Sequence, residues 1–189
     1  MSVPLAASPL DVPRWPRSPR RIAQLRAVVA LLWAIAIAIV AGDAGSDLPV
    51  GVAGLVAVYP LIDVVASLRE ATLGGDRVRP LQVNAAISLL ATAGLAVVAF
   101  GSDTRAVLAV FGAWASVSGA IQLANAIHRR RGGTRELPML VSGAISTLAG
   151  ISFIASSGMN DPTVTNLAGY AAFGALLYLL WAHRTRTSS

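Results

Sequence analysis

One carboxylate lies well inside an apolar stretch of the sequence: Asp63, six residues before Arg69. A carboxylate inside a membrane helix is costly unless it is paired, so such a residue marks a candidate functional site. At 1.5 Å per residue, Asp63 lies about 9 Å from the helix end that Arg69 marks. Two interpretations follow. Asp63 is a proton or cation site, or it is protonated or hydrogen-bonded inside a helix bundle and fixes helix register.

Amide side chains lie at a similar depth in other apolar stretches, namely Gln82, Asn84, Gln122 and Asn125. Together with Asp63 they predict an inward-facing polar cup near one membrane surface. The opposite halves of these stretches hold mainly Ala, Val, Leu and Gly, whereas an ion path needs polar groups through the full depth. The pattern therefore predicts a one-sided intramembrane polar site. Hydrogen bonds between helices are the alternative explanation for the same residues.

Groups for other chemistry are scarce. The chain has no Cys, and all fifteen of its Lys and Arg residues are Arg, which excludes thiolate sites and lysine Schiff bases. The two histidines, His128 and His183, stand in Arg-rich segment ends away from any candidate nucleophile. We therefore expect no enzyme, no metal site and no cofactor. A pH-sensing role is the alternative for the histidines, because histidine titrates near neutral pH.

The elements that position these residues are membrane helices. The chain is 55% hydrophobic and only 13% charged over 189 residues, which is too apolar for an ordinary soluble domain. Six apolar segments approach the roughly 20 residues that a helix needs to cross a bilayer. They are Ala27 to Gly42, Leu48 to Leu68, Leu81 to Gly101, Ala106 to Ile127, Leu137 to Ser157 and Val164 to Ala182. The predicted fold class is all-α, an integral membrane bundle of six transmembrane helices.

The same segments divide the chain into a membrane domain over residues 22–184 and two short tails. Residues 1–21 form a Pro- and Arg-rich stretch that we expect to be disordered, because dense prolines prevent regular packing. Residues 185–189 form the other tail. Fourteen of the fifteen arginines lie on one side of the predicted membrane, so both termini are expected to be cytoplasmic.

The formal charge of +6 comes from arginines beside the apolar segments, where they contact anionic lipid rather than nucleic acid. The predicted partners are the lipid bilayer and anionic lipid at these clusters. A homo-oligomer or a second membrane protein is left open.

Small residues form a stripe that repeats at a distance of 58 positions. Ser88 and Thr92 follow Asn84 at four-residue steps in the third segment, and Ser142, Ser146 and Gly150 have the same spacing in the fifth. Such a stripe lets helix backbones approach closely, so it predicts a helix-packing face. The repeat predicts three tandem helical hairpins.

The even-numbered segments carry a second, looser repeat, in which an aromatic residue is followed four positions later by an acidic or small residue. The pairs are Tyr59 with Asp63, Trp114 with Ser118, and Tyr170 with Gly174. Trp33, Phe100, Tyr178 and Trp181 are interpreted as packing or bilayer-facing aromatics.

Two motifs resemble the HdeD-like family of bacterial membrane proteins. They are Val117 to Gln122 followed by Ala126, and Leu140 to Ser146 followed by Gly150. The similarity runs from about Leu81 to Arg184 and is weaker in the first hairpin. It implies a bacterial inner-membrane protein with six spans in repeated hairpins, linked to acid or envelope stress, and it implies no catalytic residues.

The expected function is therefore a noncatalytic membrane protein of HdeD-like type that aids acid or envelope stress tolerance through membrane packing or partner interaction. The alternative is a small transporter or channel with a cytoplasm-facing polar site around Asp63.

Overall fold

The computed structural model describes residues 18–41, 48–74, 78–101, 103–130 and 137–184. These residues form six α-helices, a choice that hydrocarbon enforces because each backbone group must be hydrogen-bonded within its own segment. The helices are α1 (Pro19–Val40), α2 (Val50–Ala71), α3 (Val78–Phe100), α4 (Thr104–Arg130), α5 (Leu137–Ser157) and α6 (Asn166–Arg184).

Within the described ranges, five helices, α1 to α5, are long and apolar enough to cross a membrane. The sixth, α6, is long enough but less apolar, because it carries Asn166 at one end and His183 and Arg184 at the other. The chain is therefore a multi-pass membrane protein.

The first helix begins earlier than the sequence predicted. Ser18 accepts a hydrogen bond from the backbone N–H of Arg21, and Pro19 occupies the first turn, where its missing N–H costs nothing. Residues 19–21 of the predicted tail thus belong to α1, because the Ser-Pro pair starts a helix. Residues 1–17 and 185–189, the remainder of the two predicted tails, lie outside the described residues.

The helices form a closed ring in which each one packs against its neighbours in sequence and α6 returns to α1. The contacts are most extensive for α4 with α5, α2 with α3, and α1 with α6. Successive helices run antiparallel, as α1 and α2 illustrate. Trp33 of α1 contacts Leu55 of α2, and Arg26, nearer the start of α1, contacts Asp63, nearer the end of α2. Helices α1, α3 and α5 therefore begin, and α2, α4 and α6 end, at the same side of the ring, the arginine-rich end.

The half of the ring away from the arginine-rich end is filled with apolar side chains. Its fully buried members include Ile37, Val52, Leu95, Val107 and Leu167, one from each of five helices. Burial of large side chains of this kind contributes about 1.5–3 kcal/mol each in water, and in lipid the corresponding gain comes from close packing. This half is the solid core of the bundle.

An aromatic cluster lies between the apolar half and the arginine-rich end. The ring centroids of Tyr59 and Trp114 are 5.7 Å apart in an edge-on arrangement, and Phe111 lies 5.9 Å from Tyr170. Trp33 lies 4.2 Å from Tyr59 and donates its indole N–H to the carbonyl oxygen of Leu55 at 2.6 Å. Aromatic rings at these distances pack with specific geometry, so the cluster closes the centre of the ring.

Candidate functional site

Asp63 joins three helices through its two carboxylate oxygens. Its Oδ1 forms an ion pair with the guanidinium of Arg26 on α1. Its Oδ2 accepts hydrogen bonds from Asn84 Nδ2 at 2.5 Å and from Ser88 Oγ at 3.0 Å, both on α3. Only 4% of the Asp63 side chain is exposed, against 23% for Arg26. The carboxylate is thus buried with its charge paired, which is the arrangement that makes an ion tolerable in a nonpolar interior.

Ser88 extends these contacts to α4. Its hydroxyl accepts a hydrogen bond from the indole N–H of Trp114 at 3.0 Å while it donates to Asp63. Asn84 also donates to Ser67 Oγ at 3.0 Å, which adds a second link between α2 and α3. Because Ser88 is fully buried, its hydroxyl needs both partners, and each bond orients the other.

Arg26 extends the contacts in the other direction, to α6. Its guanidinium carbon lies 4.5 Å from the ring centroid of Tyr178, a cation–π distance. The hydroxyl of Tyr178 and Gln122 Oε1 on α4 are 3.3 Å apart, and Gln122 Nε2 reaches the carbonyl oxygen of Met139 on α5 at 3.5 Å. The chain of contacts from Trp114 through Asp63 to Met139 thereby touches all six helices, and we term it the polar belt.

The polar belt borders a central cavity of about 140 Å³, which opens between the helix ends at the arginine-rich end. This volume has room for several water molecules. In the part of the chain that the structure describes, two acidic and two basic residues line the cavity, Asp63 and Glu70 with Arg26 and Arg129, so their formal charges balance. Tyr59, Trp114 and Tyr170 lie at its inner end, where the aromatic cluster closes it.

Four of the five residues predicted for the polar cup line this cavity: Asp63, Asn84, Gln122 and Asn125. Gln82 is exposed on the outside of α3 and does not line it, because a two-residue step turns a helical side chain well away from Asn84. The aromatic repeat also converges here, since both members of the Tyr59, Trp114 and Tyr170 pairs line the cavity.

Residues of the predicted packing stripe have two roles, since some belong to the polar belt or the cavity wall and others pack helices together. Ser88 and Ser142 are buried, the former inside the polar belt and the latter at the cavity wall. Thr92 bonds back to the carbonyl oxygen of Ser88 at 2.9 Å, so its hydroxyl is satisfied within its own helix. Ser146 lies 3.2 Å from the hydroxyl of Tyr170, and Gly150 lies against the backbone of α4.

The closest helix contact, between α4 and α5, is built from glycine pairs. A Cβ added to Gly119 would lie 2.9 Å from the carbonyl oxygen of Gly143, and a Cβ on Gly143 would lie 2.9 Å from that of Gly119. Gly112 and Gly150 face each other in the same way two turns further along, where a Cβ on Gly112 would come within 2.5 Å of the oxygen of Gly150. Real Cβ atoms do not approach backbone this closely, so the contact requires glycine on both helices.

Sequence reasoning missed two members of the site. Arg26 was counted only among the arginines beside the apolar segments, and Tyr178 was interpreted as a packing or bilayer-facing aromatic. The 58-residue repeat could have indicated Arg26, because Arg26 lies 58 positions before Asn84 and so occupies the equivalent position in the first helix. Asn84 is itself a partner of Asp63. Among the described residues, no group of three or more His, Asp or Glu side chains could hold a metal ion.

Comparison with known families identifies a similarity in the central part of the chain. Residues 84–155 match the family model described as a short repeat of unknown function (DUF308), the family model for HdeD-like membrane proteins. The match runs from Asn84 through α4 and nearly to the end of α5, so it includes both glycine pairs but neither Arg26 nor Asp63. No curated protein and no solved structure matches the chain. The chain is thus a multi-pass membrane protein whose central part is similar to the DUF308 repeat.

Proposed function

We propose that the chain is a noncatalytic, six-span membrane protein of HdeD-like type that binds a small polar solute in the central cavity, as a transporter open to the cytoplasm does. The observation that carries this proposal is the cavity itself, a space of about 140 Å³ inside the membrane domain that is lined by polar groups and closed at one end. A purely structural bundle gains nothing from such a space, because its walls lose packing contacts.

The six spans include α6, although its helix is short and polar at its ends. Support comes from its position in the ring, where α6 is packed between α5 and α1 and contributes Tyr170 and Tyr178 to the cavity. The arrangement of three tandem hairpins accounts for the equivalent places that Tyr59, Trp114 and Tyr170 take around the cavity. Arginine bias supports cytoplasmic termini, and the family resemblance supports a location in the bacterial inner membrane.

A transporter fits this cavity better than a channel. Among the described residues, the aromatic cluster and the apolar half of the ring leave no continuous polar path on the far side of Tyr59 and Tyr170. An ion path needs polar or charged groups along its whole length. The balanced charge of the walls favours a neutral or zwitterionic solute over a simple ion.

Accessibility of single cysteines tests the cavity, since the native chain has no Cys. Gly174 lines the cavity, and a Cβ added there meets nothing within 4 Å, so Gly174→Cys introduces a thiol without steric cost. In inside-out vesicles we expect a membrane-impermeant maleimide to label Gly174→Cys much faster than Ala171→Cys, which is fully buried on the same helix. Equal, slow labelling of the two variants would contradict a water-filled cavity.

A scaffold that aids acid or envelope stress tolerance through packing or partner interaction is the second candidate. It is favoured by the complete pairing of Asp63, which leaves that carboxylate no free oxygen with which to bind a cation. The two functions are separated by filling the cavity. If acid survival depends on a solute bound in the cavity, Gly174→Phe should abolish the survival of cells at low pH. If the protein is a scaffold, the same substitution should leave survival unchanged. Gly169→Phe is the matched control, because Gly169 lies on the same helix, is exposed, and has open space at its Cβ.

A further inference from the structure

A second concave surface lies on the outside of the ring between α1 and α2, with a volume of about 350 Å³. Its walls are almost entirely apolar and include Leu25 and Val29 of α1 and Val58 and Val65 of α2. Val58 and Val65 are 51% and 49% exposed, so these side chains face outward from the bundle. In a membrane protein an outward apolar groove contacts lipid chains, because hydrocarbon is the surrounding medium.

The groove exists because α1 and α2 pack less extensively against each other than α2 does against α3 or α1 against α6. The ion pair of Arg26 with Asp63 and the bond from Trp33 to Leu55 hold the two helices together on the inner side. On the outer side, the helices diverge and leave the groove between them.

The length of the groove fits one leaflet of a bilayer. Along α2 its lining runs from Val58 to Arg69, a separation of eleven positions, which corresponds to about 16 Å at 1.5 Å per residue. Half of a hydrocarbon core of about 30 Å is about 15 Å. An acyl chain laid in the groove would therefore extend from the membrane surface at Arg69 to the bilayer midplane near Val58.

The charge at the groove selects the headgroup. Among the described residues, Arg26 and Arg69 are the charged residues that line the groove, and no acidic residue does so. Arg26 forms its ion pair with Asp63 on the inner side. Arg69 lies in the last turn of α2 at the arginine-rich end, where its side chain is exposed. A phosphate placed there meets a guanidinium, which binds phosphate oxygens in a planar, two-point geometry.

We propose that the groove between α1 and α2 is a binding site for an anionic phospholipid, with one acyl chain between Val29 and Val58 and the phosphate at Arg69. The site is separate from the central cavity and does not depend on solute binding there. Ile62 and Ala66 line both the groove and the cavity, so lipid bound outside contacts the side chains that form the cavity wall.

Lipid-dependent thermal stability of the purified full chain in detergent tests the proposal. We expect phosphatidylglycerol to raise the melting temperature more than phosphatidylcholine with the same acyl chains. Val58→Trp fills the groove and should remove this difference, and Val29→Phe, on the opposite wall, should do the same. Arg69→Gln should reduce it. Two controls should keep it: Val97→Trp, at an outer position of α3 that is 76% exposed, and Arg79→Gln, at an exposed arginine outside the groove.

Two results would overturn the site. The first is an equal effect of phosphatidylglycerol and phosphatidylcholine on the native chain. The second is a full phosphatidylglycerol effect in both Val58→Trp and Val29→Phe, since these folded, filled variants could not hold the chain. Neither result bears on labelling of Gly174→Cys, so failure of this site is distinguishable from failure of the cavity.

Discussion

Arg26 and Asp63 form a buried ion pair across the contact of α1 with α2, and each also contacts a further helix, α6 through Tyr178 and α3 through Asn84. One charge pair thus holds four helices around the cavity. Because the charges face each other in nonpolar surroundings, the pair stabilises the bundle only while both members are present.

A double-mutant cycle tests this dependence. Arg26→Leu and Asp63→Leu each leave one buried charge without its partner, and we expect each to lower the free energy of unfolding by about 3–5 kcal/mol. The double variant removes both charges and should be more stable than either single variant. The measurement is reversible unfolding in mixed detergent micelles. A double variant whose loss equals the sum of the two single losses would show that the residues act independently.

The link between Arg26 and α6 predicts a graded response at Tyr178. Tyr178→Phe loses the hydrogen bond to Gln122 but keeps the ring beneath the guanidinium, so it should cost about 1 kcal/mol of unfolding free energy. Tyr178→Leu loses the ring as well and should cost more, by about 0.5–2 kcal/mol. Leu179→Ala, one residue along at a position that is exposed on the outside of α6, is the control. If the Phe and Leu variants are equally stable, the cation–π contact contributes nothing.

The residues around Asp63 show most clearly which parts of the site the sequence could predict. Depth alone grouped Asp63 with Asn84, Gln122 and Asn125, because residues at one level of antiparallel helices meet when the helices close into a bundle. Depth does not report helix rotation, so Gln82 was included although it is exposed on the outside of α3. Arg26 was missed because an arginine near a membrane edge is usually explained by topology, and only the ring closure of α1 with α6 turns it inward.

The packing faces were predicted only on one side of each contact. The stripe that includes Ser146 and Gly150 was visible from its four-residue spacing, whereas its partners Gly112 and Gly119 are seven residues apart on α4. Seven residues are two helical turns, so these glycines also share a face. Deciding which glycine faces which helix required the register between α4 and α5, which no single helix encodes.

Arginine placement predicts how the ring lies in the membrane. Reporter fusions at Gly74, near Gly132 and after Ser189 should report a cytoplasmic location, and fusions near Gly45 and Asp161 an external one. Paired phosphatase and fluorescent-protein fusions at each position provide the measurement. The fusion after Ser189 is decisive for α6, because a five-span chain with the same amino terminus would export its carboxyl end.

The glycine pairs of α4 and α5 yield the sharpest comparison of variants. Glycine in a helix is ordinarily less favourable than alanine by about 0.5–1 kcal/mol, so Gly→Ala should be neutral or stabilising wherever the added methyl group has room. Gly54 and Gly169 have no atom within 4 Å of the added Cβ, and their alanine variants should keep the melting temperature or raise it.

Gly143→Ala places the same methyl 2.6 Å from the backbone nitrogen of Leu123, so α4 and α5 must separate to accept it. We expect a loss of about 1–3 kcal/mol, the usual cost of overpacking, with Gly119→Ala behaving alike. The four variants differ from the native chain by one methyl group each, so helix propensity cancels from the comparison. Equal melting temperatures across the set would mean that α4 and α5 do not approach each other at these glycines.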